Sequence, residues 1–225
     1  MSINRWELFK DILNTIPTTS TIAIIGKMRS GKTTFAYLFA NYIRDYYASR
    51  NYTVCSLVFN PGDLENPREI ESKISINSRD VNIIVFDDLS FIISGYNKLV
   101  RNFLNLITRI AHVTLSDYNY VFFIGHYSRA ISPFLRASNV VVLTSISHPE
   151  ISALKELFTL SSLYDYLDYY SENPKRYIYL VKYHVYERII DFTIEKPEVD
   201  FPICERCLEA LWGEEYKKII DKVKS

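Results

Sequence analysis

Apolar residues recur along this chain in two rhythms, and each predicts its own kind of element. Trp6, Phe9, Leu13 and Ile16 fall three or four apart, the spacing of one helix face, and Pro17 ends that helix. A short β-branched run from Thr21 to Ile25 predicts a first strand. The helical period returns from Thr33 to Ser49, with Phe35, Leu38, Phe39, Tyr42 and Ile43 at core spacing. Thr53 to Phe59 predicts a second strand, closed by the turn sequence Asn60-Pro61-Gly62-Asp63. The polar stretch from there to Arg79 predicts little helix. A third strand is expected at Val81 to Phe86, a helix at Gly95 to Val113 and a fourth strand at Tyr120 to Ile124. A short helix near Ser128 to Arg136 then leads to a fifth strand, Val140 to Leu143.

Strands alternating with helices predict an α/β fold with a mostly parallel sheet covered on both faces. After about Leu160 the pattern changes. Tyr164, Tyr166, Tyr169 and Tyr170 crowd a helical segment; two strands are expected at Tyr177 to His184 and Arg188 to Ile194, and a last helix at Glu205 to Val223. Residues 1–160 therefore read as a core with an N-terminal helix, and 161–225 as a small C-terminal α+β extension.

The chemistry concentrates where strands end. Gly26-Lys27-Met28-Arg29-Ser30-Gly31-Lys32-Thr33 fits the phosphate-loop pattern G-x-x-x-x-G-K-[ST] without a mismatch, between a predicted strand and a predicted helix. Glycines at 26 and 31 let backbone N–H groups close around phosphate oxygens, and the helix that follows, through Thr34, points its positive end at the same charge. Lys32 is placed to reach the β- and γ-phosphates, and the Thr33 hydroxyl to hold Mg²⁺. ATP with Mg²⁺ is the expected ligand. The third strand runs into Asp87-Asp88, which after a phosphate loop reads as a second acidic motif. Asp87 would hold Mg²⁺ through its water shell, and Asp88 would orient or deprotonate the attacking water. The bland reading of Asp88 is a turn former or helix cap.

Composition narrows the picture. At 225 residues with 48% hydrophobic content, the chain can bury a sizeable core. Its net charge is zero, so no global field draws it to nucleic acid, and any DNA contact must come from a local patch or an assembled ring. Candidates are the segment from Asp63 to Arg79 and the Lys98/Arg101/Arg109 helix, whose charges read first as a solvated face. No apolar stretch is long enough to span a bilayer, the charged N-terminus does not read as a signal peptide, and three cysteines make no disulfide framework. A soluble cytoplasmic protein without a membrane partner is expected. Cys204-x-x-Cys207 lacks the second pair a zinc site needs and reads as structural, and Cys55 reads as core.

The phosphate loop, Asp87-Asp88 and the run from His126 to Asn139, with Pro133, Arg136 and Asn139 before the strand Val140 to Leu143, occur in that order. Together they resemble the FtsK–HerA superfamily of P-loop ATPases, and within it the viral genome-packaging ATPases, over about residues 18–160. The resemblance implies an additional-strand P-loop NTPase fold, in which an extra strand lies between the phosphate-loop strand and the acidic strand. His126 at the end of that strand would act as a γ-phosphate sensor. It also implies a homo-oligomeric ring, a pentamer or hexamer, that translocates double-stranded DNA, works with capsid proteins and is found in host cytoplasm or virion. Arg129 or Arg136 would be the finger that neutralises charge on a neighbour's nucleotide. Two residues depart from the pattern: the superfamily often has Gln at the position of His126 and Glu at that of Asp88. Other classes stay open: a nucleotide or nucleoside kinase, a RecA- or AAA-like ATPase in replication or partitioning, and a non-hydrolysing nucleotide-gated assembly protein.

Overall fold

The computed structural model describes residues 4–27, 29–87, 98–126, 133–173 and 177–192. Its centre is a seven-stranded sheet in the order β2-β3-β4-β1-β5-β6-β7. The strands are β1 (Thr19–Gly26), β2 (Val54–Phe59), β3 (Val81–Phe86), β4 (Tyr118–His126), β5 (Val140–Thr144), β6 (Tyr177–Tyr183) and β7 (Tyr186–Phe192). The first five pair in parallel, and β6 and β7 follow antiparallel. All five predicted core strands are present, several a residue or two longer than the apolar runs alone suggest. The hairpin that the sequence assigns to a C-terminal extension pairs directly with β5, so it widens the same sheet.

The strands are apolar on both sides because helices cover both faces. Helix α1 (Arg5–Thr15) and helix α2 (Lys32–Ala48) lie on one face. There Phe9 stacks on Phe39, and Phe39 meets Phe122 of β4 edge-on. On the other face Ile25, Phe86 and Phe123 pack in one core with residues of α3 (Pro67–Asn77), α4 (Lys98–Thr114) and α7 (Leu160–Glu172). Two short helices, α5 (Pro133–Ala137) and α6 (Ile151–Leu154), flank β5 in the chain.

Helix α3 corrects the expectation of a helix-poor segment after β2. Pro67 starts it, Ile70 and Ile74 bury one turn apart, and Glu69 pairs with Lys73 at 2.9 Å on the outside. Those are ordinary helix signals, and the high polarity around them concealed the short apolar stripe. The expected helix from Gly95 is described from Lys98, and the one from Ser128 is described only from Pro133. The last predicted helix, with Cys204 and Cys207, lies outside the described residues. Cys55 is half-buried on β2, and burial pushes its thiol up.

At the amino ends of the strands, buried Asn82 donates to Asn119 at 3.2 Å, and Asn119 donates to Thr19 at 3.3 Å. These bonds tie β3, β4 and β1 in register. Asn139 does the same for β5: its Oδ1 accepts from Thr21 N at 2.9 Å, and its own N–H donates to Thr21 O at 3.0 Å.

Candidate nucleotide-binding site

The parallel strands β1, β3, β4 and β5 end at one edge of the sheet, and the candidate residues gather there. In register, His126 lies beside Gly26, Gly26 beside Thr144, and Thr144 beside Tyr179. One row thus crosses β4, β1, β5 and β6. Asp87 follows the last residue of β3, and its N–H donates to Phe59 O at 2.9 Å, which continues the β2–β3 ladder by one residue. Strand β4 separates β1 from β3. Adjacent strands are about 4.8 Å apart, so roughly 10 Å lies between the phosphate-loop strand and the acidic strand. A side chain and a phosphoryl group can share that width.

Gly26 is required by space. A Cβ there would lie 1.9 Å from Thr144 Oγ1 and 2.1 Å from the Thr144 carbonyl oxygen. Gly31 is required by both backbone and space. Its φ is +83°, and a Cβ would meet Tyr177 Cδ1 at 2.4 Å and the Tyr179 hydroxyl at 2.6 Å. Arg29 also takes a left-handed conformation, with φ 60°. Left-handed residues at 29 and 31 curl the loop, and such turns gather backbone N–H groups into an anion-binding concavity.

Inside the loop, the Lys32 ammonium donates to Lys27 O at 2.6 Å, and Ser30 Oγ donates to the same carbonyl at 2.7 Å. Ser30 Oγ is also hydrogen-bonded to Thr144 Oγ1. Lys32 is 6% exposed, a charge held in a nearly closed site. Helix α2 starts here. Among the described residues no side chain caps its N-terminus, and its first turn carries no acidic residue. The positive end of a 17-residue helix therefore faces the loop. Thr33, partly exposed, is on its first turn, and Asp87 is buried at the strand edge. A hydroxyl and a carboxylate are the hard oxygen donors that Mg²⁺ takes, and it commonly needs one or two from protein beside phosphate oxygens.

The remaining candidates divide. Lys27, Arg29, Ser30 and Thr34 stand in the loop or the helix start, while Met28, Asp88 and Arg129 lie outside the described residues. His126 ends β4 beside Gly26; its side chain is outside the described set. Arg136, on α5, is exposed and ion-paired with Glu156 of the same chain. Arg101 is exposed, and exposed Arg109 pairs with Glu71 at 2.9 Å.

Three residues escaped the sequence reading. Thr144 ends β5 as the first polar residue after an apolar run, a signal that was present but shared by many strand ends. Tyr179 and Tyr177 come from the hairpin. Tyr179 is fully buried and donates to Gly31 O at 3.0 Å across 148 positions of chain. Its ring packs against both Phe35 and Phe192, each at 5.0 Å between centroids, and those two stack on each other at 5.7 Å. Burial raises its pKa well above the usual tyrosine value, so it stays a donor. Nothing local in the sequence links that tyrosine to the loop.

Both the strand order and the loop are those of a P-loop NTPase with the additional strand. No protein-family model and no curated protein matches the sequence. Among solved structures, the chain is similar to the genome packaging NTPase B204 from Sulfolobus turreted icosahedral virus 2 in complex with sulfate. That likeness has a TM-score of 0.57 at 8% identity, and covers 80% of this chain and 100% of that one. The same NTPase in complex with AMPPCP gives 0.57 at 10% identity over 79% and 100% of the two chains. The DNA-packaging ATPase B204 from Sulfolobus turreted icosahedral virus gives 0.52 at 10% identity over 80% and 98%. At such identities the likeness is one of fold, and at that level the expected resemblance to viral packaging ATPases is met. Among the described residues no helix is long and apolar enough to cross a membrane.

Proposed function

We propose that this chain hydrolyses ATP and uses the energy to move double-stranded DNA, as a viral genome-packaging motor does. The observation that carries the reading is that the likeness takes in the whole packaging NTPase chain, on a sheet whose edge presents a complete phosphate loop and Asp87. Lys32 leaves the Lys27 carbonyl for the β- and γ-phosphates and offsets their charge. Thr33 and Asp87 hold Mg²⁺, which when bound neutralises charge on the phosphate oxygens. Asp88 takes the proton of the attacking water, and the His126 side chain reports on the γ-phosphate. The loop and the α2 terminus hold the phosphates in place, the positioning that phosphoryl transfer chiefly needs.

The ring follows from the same reading. Arg136 is exposed on α5, where a neighbouring subunit's nucleotide could draw it away from Glu156. An arginine finger supplied in this way accelerates hydrolysis about 10³–10⁵-fold; Arg129 is the other candidate. Pentameric or hexameric rings would thread DNA, with capsid proteins as docking partners in the host cytoplasm or virion.

Turnover of ATP with and without double-stranded DNA, measured beside mass in solution with nucleotide, tests the proposal. DNA should raise turnover, and nucleotide should shift the mass to that of a ring. A mixture of Arg136→Ala and Asp88→Asn chains should regain activity that neither has alone if Arg136 is the finger. A monomer whose turnover ignores DNA would overturn the motor. Phosphate transfer to a small acceptor would make it a kinase, and binding without turnover would make it a nucleotide-gated assembly protein.

A further inference from the structure

We propose that Tyr177 is the wall on which the base of the bound nucleoside triphosphate stacks, an inference that rests on the phosphate-loop reading. The sheet order sets the direction of the ligand. Asp87 and His126 end strands on one side of β1, so the terminal phosphate and its metal face β4 and β3. The nucleoside must leave the loop on the other side, toward β5 and β6.

Strand β6 runs antiparallel to β5, and Tyr179 is opposite Thr144, the last residue of β5. Tyr177 is two positions earlier, on the same face as Tyr179 and one step of about 6.5 Å past the strand ends. That face carries α2, because Tyr179 packs on Phe35. The Tyr177 ring lies against Gly31, with Cδ1 and Cε1 within 2.9 Å of where a Cβ would stand. It is thus beside the loop that takes the phosphates.

Among the described residues the ring itself is little used by the fold. Tyr177 is 39% exposed, and among the described residues no aromatic ring packs on it and no group hydrogen-bonds its hydroxyl. Tyr179, two residues on, has both: two ring neighbours and the Gly31 carbonyl. Tyr179 pins the strand to the loop, and Tyr177 is left with surface to offer at the edge of the site. A flat π-surface there suits a nucleobase. Stacking is tolerant of base identity, so adenine and guanine nucleotides should both use it.

Calorimetric titration of ATP, GTP and inorganic tripolyphosphate into the wild-type chain, Tyr177→Ala and Tyr177→Phe tests the assignment. Tripolyphosphate fills the loop and carries no base. Tyr177→Ala should weaken ATP and GTP about tenfold, the scale of a base–aromatic stack lost to alanine. Tripolyphosphate affinity should hold within about twofold, and Tyr177→Phe should bind all three as wild type does. Undiminished ATP binding by Tyr177→Ala would overturn the stacking wall. So would equal losses for ATP and tripolyphosphate, which would make Tyr177 a support of the loop, or a Phe variant as weak as Ala. A wild-type chain that binds neither ATP nor tripolyphosphate would instead overturn the phosphate-loop reading beneath it.

Discussion

Gly26→Ala should destabilise the fold at the edge of the sheet that carries the site, and the structure sets the size of the effect. The added methyl would lie 1.9 Å from Thr144 Oγ1 and 2.1 Å from Thr144 O. Carbon and oxygen in contact rest at about 3.5 Å, so the carbonyl must retreat by more than ~1 Å. The hydroxyl can rotate away; the carbonyl belongs to β5 and can move only with its strand. Gly26 is not at positive φ, so the penalty is steric and not conformational. Forced overpacking costs about 1–3 kcal/mol, and a backbone clash within a paired ladder belongs near the top of that range. At an m-value of about 2 kcal/mol/M, the urea midpoint should fall by roughly 1–1.5 M. Unfolding followed by circular dichroism reads this directly. Thr144→Ala supplies the control: it removes Oγ1 and leaves the carbonyl, so adding it to Gly26→Ala should not restore the midpoint. A wild-type midpoint for Gly26→Ala, or full rescue by Thr144→Ala, would refute the backbone clash.

Lys32→Ala should abolish ATP turnover, because it removes the ammonium proposed to meet the β- and γ-phosphates, while the melting curve stays near wild type; retained turnover would sink its role. Tyr179→Phe should lower stability by only about 1 kcal/mol in urea unfolding, because Gly31 O still accepts from Phe35 N at 3.0 Å and is not left bare; a loss above about 3 kcal/mol would mean that the hydroxyl holds more than this bond. Stability should also fall in alkali. Burial raises the pKa of Tyr166 and of Tyr179, so above about pH 10 the unfolded chain gives up protons that the fold keeps. The contribution of these two is intact below that pH and is lost as pH rises, by roughly 1.4 kcal/mol per pH unit per group. Urea midpoints from pH 9 to 11 check this, and Tyr166→Phe should flatten the slope.

Much of the site was legible because its parts are local. The phosphate loop needs glycine at two places, a lysine and a hydroxyl within eight consecutive residues, and the apolar strand before it and the helix after it are adjacent in sequence. Asp87 was legible for the same reason: the apolar run Ile83-Ile84-Val85-Phe86 ends at it. Helix α3 was missed because only Ile70 and Ile74 mark its buried face, and a two-residue stripe among charges has little periodicity to detect.

By itself, then, the sequence determined the elements and the loop chemistry, since hydrophobic period and backbone sterics act over a few residues. Only the tertiary structure decided which strands lie side by side. Strand β4 pairs with both β1 and β3, and this aligns His126 with Gly26 and sets Asp87 two strands from the loop. The β6–β7 hairpin reads locally as an appendage. Pairing with β5 carries Tyr179 under Gly31 and leaves Tyr177 beside it. Strand pairing joins residues far apart in the chain, chosen by burial on two faces at once, and no local pattern encodes that choice.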